Sequence, residues 1–174
     1  REYKSQLTIK IGYMYILKYA KMTELLKNNI AAHISLSENE VDAFCNLFEQ
    51  MLIPKKSFLL KEGEVCKFEG FVTKGLFRVF HIDKNGNEQI LYFAMENWWI
   101  TDIDSFTNEK PSQLFIEALE DTLVLRITHR DLLDLYIKAP KFDRIFRVLL
   151  ENHFMQQQER IGQLFSSTAE ERYL

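Results

Sequence analysis

Residues 58–93 read FLLKEGEVCKFEGFVTKGLFRVFHIDKNGNEQILYF, and this stretch decides the fold. It consists of short apolar runs separated by turn residues at 62–64, 74–75 and 83–86. Asn85-Gly86 lies between two of these runs, and because both residue types tolerate positive φ, the pair predicts a β-hairpin. Further apolar runs follow at 114–118 and 123–127. Many short strands with regular turns predict a mainly β domain of the jelly-roll type, a double-stranded β-helix.

Helices flank this β region on both sides. Ser37 and Glu40 have the spacing of a capping box, and apolar residues recur at helical intervals up to Met51. The pattern therefore predicts a helix over 37–52, ended by Pro54. On the other side, we expect a short helix over 129–136 that stops near Pro140, and then a long helix over 142–165.

The long helix carries a narrow, mostly apolar stripe. Its members lie at 4-3-4-3 spacing: Leu150, Phe154, Gln157, Ile161 and Leu164. This spacing is typical of a coiled-coil seam and predicts a homodimer, whereas the alternative is a helix that packs on its own domain. Gln157 interrupts the stripe; a polar residue there fixes register, and Gln157 and Gln158 are also candidates for contact with a ligand.

Composition limits the classes of function. Of the 174 residues, 47% are hydrophobic and 27% charged, and the net charge of −3 gives no basic excess with which to hold nucleic acid. Cys45 and Cys66 are too few for a four-thiolate cluster, and we expect both to be reduced thiols. No apolar stretch approaches the roughly 20 residues of a membrane helix. These features predict a cytoplasmic protein with no membrane segment.

The ends of the chain differ from its centre. Residues 1–21 precede Met22 and are interpreted as an extension of uncertain origin, although alternating apolar residues from Leu7 to Tyr15 also fit a strand. We predict a jelly-roll domain with N-terminal helices over 22–140 and a dimerisation helix over 141–166. Residues 167–174 begin a further helix, which we interpret as truncated.

Taken in order, these elements resemble the Crp/Fnr transcription regulators and their cyclic-nucleotide-binding domain over residues 37–174. Residues 74–80 are similar to the family's glycine-turn strand, and residues 117–121 are similar to the strand and turn after its phosphate-binding cassette. Residues 159–164 resemble the end of its dimerisation helix, and Ser166, Ser167 and Thr168 fall at its hinge. The resemblance implies a homodimeric regulator that binds DNA through a C-terminal winged helix-turn-helix. It makes 22–140 the sensor domain and 167–174 the start of a truncated DNA-binding domain.

The cassette departs from the family pattern. Nucleotide-binding members have a Gly-Glu pair and, downstream, an arginine that neutralises the cyclic phosphate. Counted from Phe106, the first pair is Thr101-Asp102 here, and the arginine position and its neighbour are Ser112 and Gln113. Loss of charge-assisted hydrogen bonds worth roughly 1.5–3 kcal/mol each should weaken binding by one to two decades per bond. We therefore expect cyclic AMP not to be the ligand.

Two alternatives for the cassette and two for the whole protein stay open. The cassette either binds a less anionic effector, or it is empty and closed by aromatic residues such as Trp98 and Trp99, for which core packing is the plainer interpretation. The protein could be a stand-alone binding module, or a metal enzyme of the cupin type. The four histidines (His33, His81, His129 and His153) are dispersed, so we expect no catalytic residue, metal or cofactor.

Overall fold

The computed structural model describes residues 23–166, except for the side chains of residues 153, 156–157, 160–161 and 163–166. Five helices are present in this range: α1 (23–31), α2 (Glu38–Cys45), α3 (Ile103–Asn108), α4 (His129–Lys138) and α5 (Lys141–Ser166). Eight strands accompany them: β1 (Glu49–Ile53), β2 (Phe58–Leu60), β3 (Phe68–Lys74), β4 (Leu76–Ile82), β5 (Glu88–Met95), β6 (Trp99–Ile100), β7 (Phe115–Ala118) and β8 (Thr122–Thr128). The chain divides into two compact units, Arg1–Leu133 and Asp134–Leu174.

The strands of the first unit form two four-stranded antiparallel sheets. One has the order β1-β8-β3-β6 and the other β2-β7-β4-β5. The core is built from fully buried aliphatic and aromatic side chains of both sheets, among them Phe71, Phe77, Val79, Ile116 and Leu125. The predicted class, a mainly β jelly roll with flanking helices, is confirmed.

The predicted hairpin joins β4 to β5. The Gly86 N–H donates to the Asp83 carbonyl at 2.9 Å, and the Asp83 carboxylate accepts from the Asn85 and Asn87 N–H groups at 2.8 and 2.9 Å. Only Gly86 takes a positive φ, of 84°, so the glycine alone meets the conformational demand that the sequence assigned to both residues. The two hydrogen bonds that the Asp83 carboxylate accepts further stabilise the turn.

The glycine between β3 and β4 is required for two reasons. Gly75 has a φ of 99°, and a Cβ placed there would lie 2.5 Å from Thr122 Oγ1. The Thr122 hydroxyl approaches this closely because it hydrogen-bonds the backbone of Leu76 at 3.2 Å. This turn therefore fixes β8 against the start of β4.

The helix predicted over 37–52 is wrong in its second half. The capping box is present, with the Glu40 carboxylate accepting from the Ser37 N–H at 2.9 Å, but α2 ends at Cys45. The residues beyond it form β1, which pairs with β8 from Glu49↔Arg126 to Ile53↔Thr122. Because the ladder to β8 and the 2.9 Å ion pair between Glu49 and Arg126 are non-local, a local apolar pattern does not reveal them.

The helices predicted after the sheets are present, with slightly longer bounds. α4 begins at His129 and ends two residues before Pro140, and α5 covers the predicted 142–165. In the second unit, the Tyr136 and Phe146 rings lie 5.7 Å apart edge-to-face and join α4 to α5. Within the described residues, no helix has the length and apolar character that crossing a membrane requires. The predicted features of residues 1–21 and 167–174 fall outside the described range.

Candidate ligand site

Asp102, at the start of the cassette, uses its carboxylate for hydrogen bonds within the protein. It is the N-cap of α3, and its Oδ1 accepts from the Asp104 and Ser105 N–H groups, both at 3.2 Å. Aspartate is favoured at this position because its carboxylate satisfies amides that have no partner inside the helix. The residue is 7% exposed, so this carboxylate is buried at the start of a short helix.

Ser112 binds the other oxygen of the same carboxylate. Its hydroxyl donates to Asp102 Oδ2 at 2.6 Å and accepts from the Leu114 N–H at 2.9 Å. Backbone bonds of 2.8 Å between Ser112 and the Gly63–Glu64 turn hold the serine in place. The sequence-predicted residues Asp102 and Ser112 are therefore brought together, and they satisfy each other's hydrogen bonds.

The other two predicted cassette side chains point elsewhere. The Thr101 hydroxyl donates to the Phe68 carbonyl at 2.9 Å and lies 3.4 Å from Cys66 Sγ. Gln113 is exposed. Lys110, a cation in the same segment, pairs with Asp104 at 2.7 Å, and its side chain is 52% exposed. Among the described cassette residues, no cationic side chain contacts Asp102 or Ser112.

Several buried polar residues around the cassette were not predicted from the sequence. Ser105 accepts from the Cys66 N–H at 2.8 Å and donates to the Lys110 carbonyl at 2.6 Å, which closes the loop after α3. Glu69 is a buried carboxyl residue of β3, 9% exposed. One signal could have indicated Glu69, since a carboxylate inside the apolar run 68–72 is unusual for a buried strand.

Burial shifts the titration of three groups in this region. Burial raises the pKa of Glu69 to about 8, and the neighbouring Thr101 hydroxyl opposes the shift. Burial likewise raises the pKa of the Cys66 thiol, and it raises the pKa of Tyr92, with additional contributions from Glu69, Asp102 and Cys66. At neutral pH the cluster therefore holds a protonated Glu69, a thiol and a neutral phenol.

The two tryptophans have separate environments. The Trp99 ring packs 5.2 Å from Phe71 and 6.1 Å from Phe48, and its Nε1 donates to Asn29 Oδ1 of α1 at 2.9 Å. Trp98 is 38% exposed. Trp99 thus has the core-packing role that the sequence favoured, and it links the strand before the cassette to α1.

The remaining predicted residues lie on α5 or are dispersed. Leu150 and Phe154 are 49% and 63% exposed, and Gln158 is also exposed, whereas the side chains of Gln157, Ile161 and Leu164 fall outside the description. Ser166 ends α5, and Ser167 and Thr168 lie beyond the described range. No group of three or more His, Cys, Asp or Glu residues that could hold a metal occurs in the part of the chain that the structure describes. Both cysteines are buried and free.

A family model places this arrangement among known proteins. The family model of the cyclic nucleotide-binding domain matches residues 50–139, a range that includes the cassette and the strands of both sheets. The chain belongs to the cyclic nucleotide-binding domain family. Its resemblance to Crp/Fnr regulators is confirmed by curated relatives.

The curated relatives are regulatory proteins of greater length. This cyclic nucleotide-binding domain is 31% identical over 140 residues to an anaerobic regulatory protein of Pasteurella multocida, covering 79% of this chain and 50% of that protein. It is 31% identical to the fumarate and nitrate reduction regulatory protein of Vibrio cholerae, with coverages of 79% and 55%. The chain therefore spans about half the length of the relatives that it matches.

Two solved structures share the fold. A cyclic nucleotide-binding domain from Methylobacillus flagellatus superposes with a TM-score of 0.73 at 18% identity, covering 84% of this chain and 86% of that one. The Thermus thermophilus catabolite activator protein superposes with a TM-score of 0.65 at 22% identity, with coverages of 75% and 61%. At these identities the likeness shows the fold alone.

Proposed function

We propose that this chain is the sensor and dimerisation region of a Crp/Fnr-type transcription regulator whose cassette does not bind cyclic AMP. The family assignment and the regulatory relatives support the first part. The observation that carries the second part is the buried 2.6 Å hydrogen bond from Ser112 to Asp102, at the positions where nucleotide-binding members place arginine and glutamate.

The chemistry of the cassette opposes an anionic ligand. A cyclic phosphate carries one negative charge, for which a bidentate guanidinium is the usual partner. Here the corresponding side chain is a neutral hydroxyl that already donates to a carboxylate. A phosphate entering the cassette would meet the buried Asp102 carboxylate and would have to displace Ser112 from it, while Lys110 of the same segment is already paired with Asp104.

The homodimer in this proposal rests on exposed residues of α5. Leu150 and Phe154, both on the predicted stripe, are large apolar side chains that are 49% and 63% exposed on a 26-residue helix. Burial of such a stripe against a second copy is the usual way to remove it from water. We infer a homodimer that presents a DNA-binding segment, as in the regulatory relatives, and an effector of unknown identity that acts on the first unit.

DNA binding by the full-length gene product tests this function. The coding sequence should be read past Leu174, and the complete protein should be titrated onto genomic promoter fragments in a mobility-shift assay. We expect specific complexes whose affinity is the same with and without 1 mM cyclic AMP. Absence of DNA affinity would favour the stand-alone binding module, and a clear cyclic AMP requirement would contradict our interpretation of the cassette.

A further inference from the structure

The Asn29 side chain links α1 to the strand that leads into the cassette. Its Nδ2 donates to Asn97 Oδ1 at 3.1 Å, and its Oδ1 accepts from Trp99 Nε1 at 2.9 Å. One end of the amide is therefore used on the turn between β5 and β6, and the other end on β6 itself. Because an amide places its donor and its acceptor on one planar group, this contact fixes the orientation of α1 as well as its position.

The position of α1 depends on contacts outside the helix. It is shorter than the roughly 12–15 residues below which an isolated helix is marginal in water. Leu26 and Ile30 bury one of its faces completely, and Lys27 pairs with Asp42 of α2 at 2.7 Å. A change in these contacts would displace α1, and the hydrogen bonds of Asn29 would then be lost.

The strand that Asn29 contacts is short and directly precedes the cassette. The pairing of β6 with β3 consists of two residue pairs, at Trp99 and Ile100. So short a ladder makes the position of β6 depend on side-chain contacts such as those of Trp99. Only Thr101 separates this strand from Asp102, whose carboxylate caps α3 and accepts from the Ser112 hydroxyl.

We propose that α1 acts through Asn29 as a control element for the cassette. With α1 in place, Asn29 holds Trp99 and the turn before it, and β6 keeps the position from which Asp102 caps α3. When α1 is displaced, β6 loses this support and the hydrogen bond between Asp102 and Ser112 opens more often. A signal that moves α1 would thereby change the cassette without entering it. Because coupling between two sites is reciprocal, opening of that bond must also weaken the contact between Asn29 and Trp99.

Native-state hydrogen exchange, followed by nuclear magnetic resonance of the chain, tests this coupling. Asn29→Ala should speed exchange of the Ser105 and Leu114 amides, which donate to cassette side chains, by roughly 2- to 10-fold, the factor that corresponds to loss of one hydrogen bond. The amides of β4 report opening of the sheets and should be unchanged. Asn28→Ala, at the exposed neighbouring position, is the matched control because it changes helix propensity equally, and it should leave the cassette amides unchanged.

Ser112→Ala supplies the reverse measurement, which does not require Asn29→Ala to fold. It should speed exchange of the Trp99 Nε1–H, which donates to Asn29, more than exchange of the β4 amides. The proposal is overturned if the cassette amides of Asn29→Ala change no more than those of β4, if Asn28→Ala has the same effect, or if the Trp99 Nε1–H does not respond to Ser112→Ala. Neither DNA nor nucleotide enters the experiment, so its failure would leave the proposed function standing.

Discussion

At the scale of single residues, the state of the cassette depends on one hydrogen bond. Ser112 occupies a position where a nucleotide-binding relative would have a cation, and it uses its hydroxyl to satisfy Asp102 and the Leu114 amide. Burial of a carboxylate without a hydrogen-bond partner costs free energy, so the Ser112 hydroxyl stabilises the observed conformation of the cassette. The side chain that, as we propose, removes phosphate recognition also completes the local structure.

Replacing this serine tests its structural role. Ser112→Ala should lower the free energy of unfolding by about 1–3 kcal/mol, because it leaves Asp102 Oδ2 and the Leu114 N–H without their partner. Gln113→Ala, at the exposed neighbouring position, is the control and should change stability by less than about 0.5 kcal/mol. Urea denaturation followed by circular dichroism measures both, and equal effects would contradict the role of Ser112.

The buried Glu69 predicts a loss of stability as pH rises from 4.5 to about 8. Its pKa is about 8 in the folded chain and 4.5 in the unfolded chain, so the folded state binds more protons between these values. The stabilisation is complete below pH 4.5 and is lost as pH rises to about 8, at roughly 1.4 kcal/mol per pH unit from this group. Urea midpoints of the unsubstituted chain and Glu69→Gln should therefore diverge over this range, and parallel curves would refute the shift.

At the scale of secondary-structure elements, the sequence predicted what local chemistry determines. The hairpin, the glycine turn after β3 and the strands of 58–93 follow from turn residues and alternation. The second half of the helix over 37–52 was wrong because the pairing partner of β1 lies more than 60 residues away, in β8. Asp102 and Ser112 could be predicted as site residues only through a family resemblance, because they lie ten positions apart in the sequence with a helix between them. Glu69 could not be predicted in the same way, because the spacing of residues does not show that its carboxyl group is buried.

Two glycines with similar backbone angles give a matched test of the turns. Gly75 and Gly63 have φ of 99° and 86°, but an added Cβ meets Thr122 at 2.5 Å in the first and nothing within 4 Å in the second. Gly63→Ala should cost about 1–2 kcal/mol through its backbone conformation alone. Gly75→Ala should cost distinctly more in thermal or urea unfolding, and equal costs would show that the contact with Thr122 relaxes freely.

At the scale of the whole molecule, we propose a sensor unit followed by a helix on which two members of the predicted stripe, Leu150 and Phe154, are exposed. Phe154 lies on the predicted seam, and its exposed neighbour Met155 lies off it, at 63% and 57% exposure. Phe154→Glu should convert a dimer to a monomer in sedimentation velocity at micromolar concentration, because a carboxylate would be buried in the seam. Met155→Glu should remain dimeric. A monomer before substitution, or an equal effect of both changes, would contradict the seam.

The central claim is that this cyclic nucleotide-binding domain does not recognise cyclic AMP, and thermal melting tests it most directly. A ligand present at 100 times its dissociation constant stabilises a protein by about 2.7 kcal/mol, which is readily seen as a rise in Tm. The account predicts an unchanged Tm for this chain at 1 mM cyclic AMP, with a known cyclic-AMP-binding domain as the positive control. A dose-dependent rise in Tm at sub-millimolar cyclic AMP would contradict it, because the Ser112–Asp102 bond would then have to open for the nucleotide.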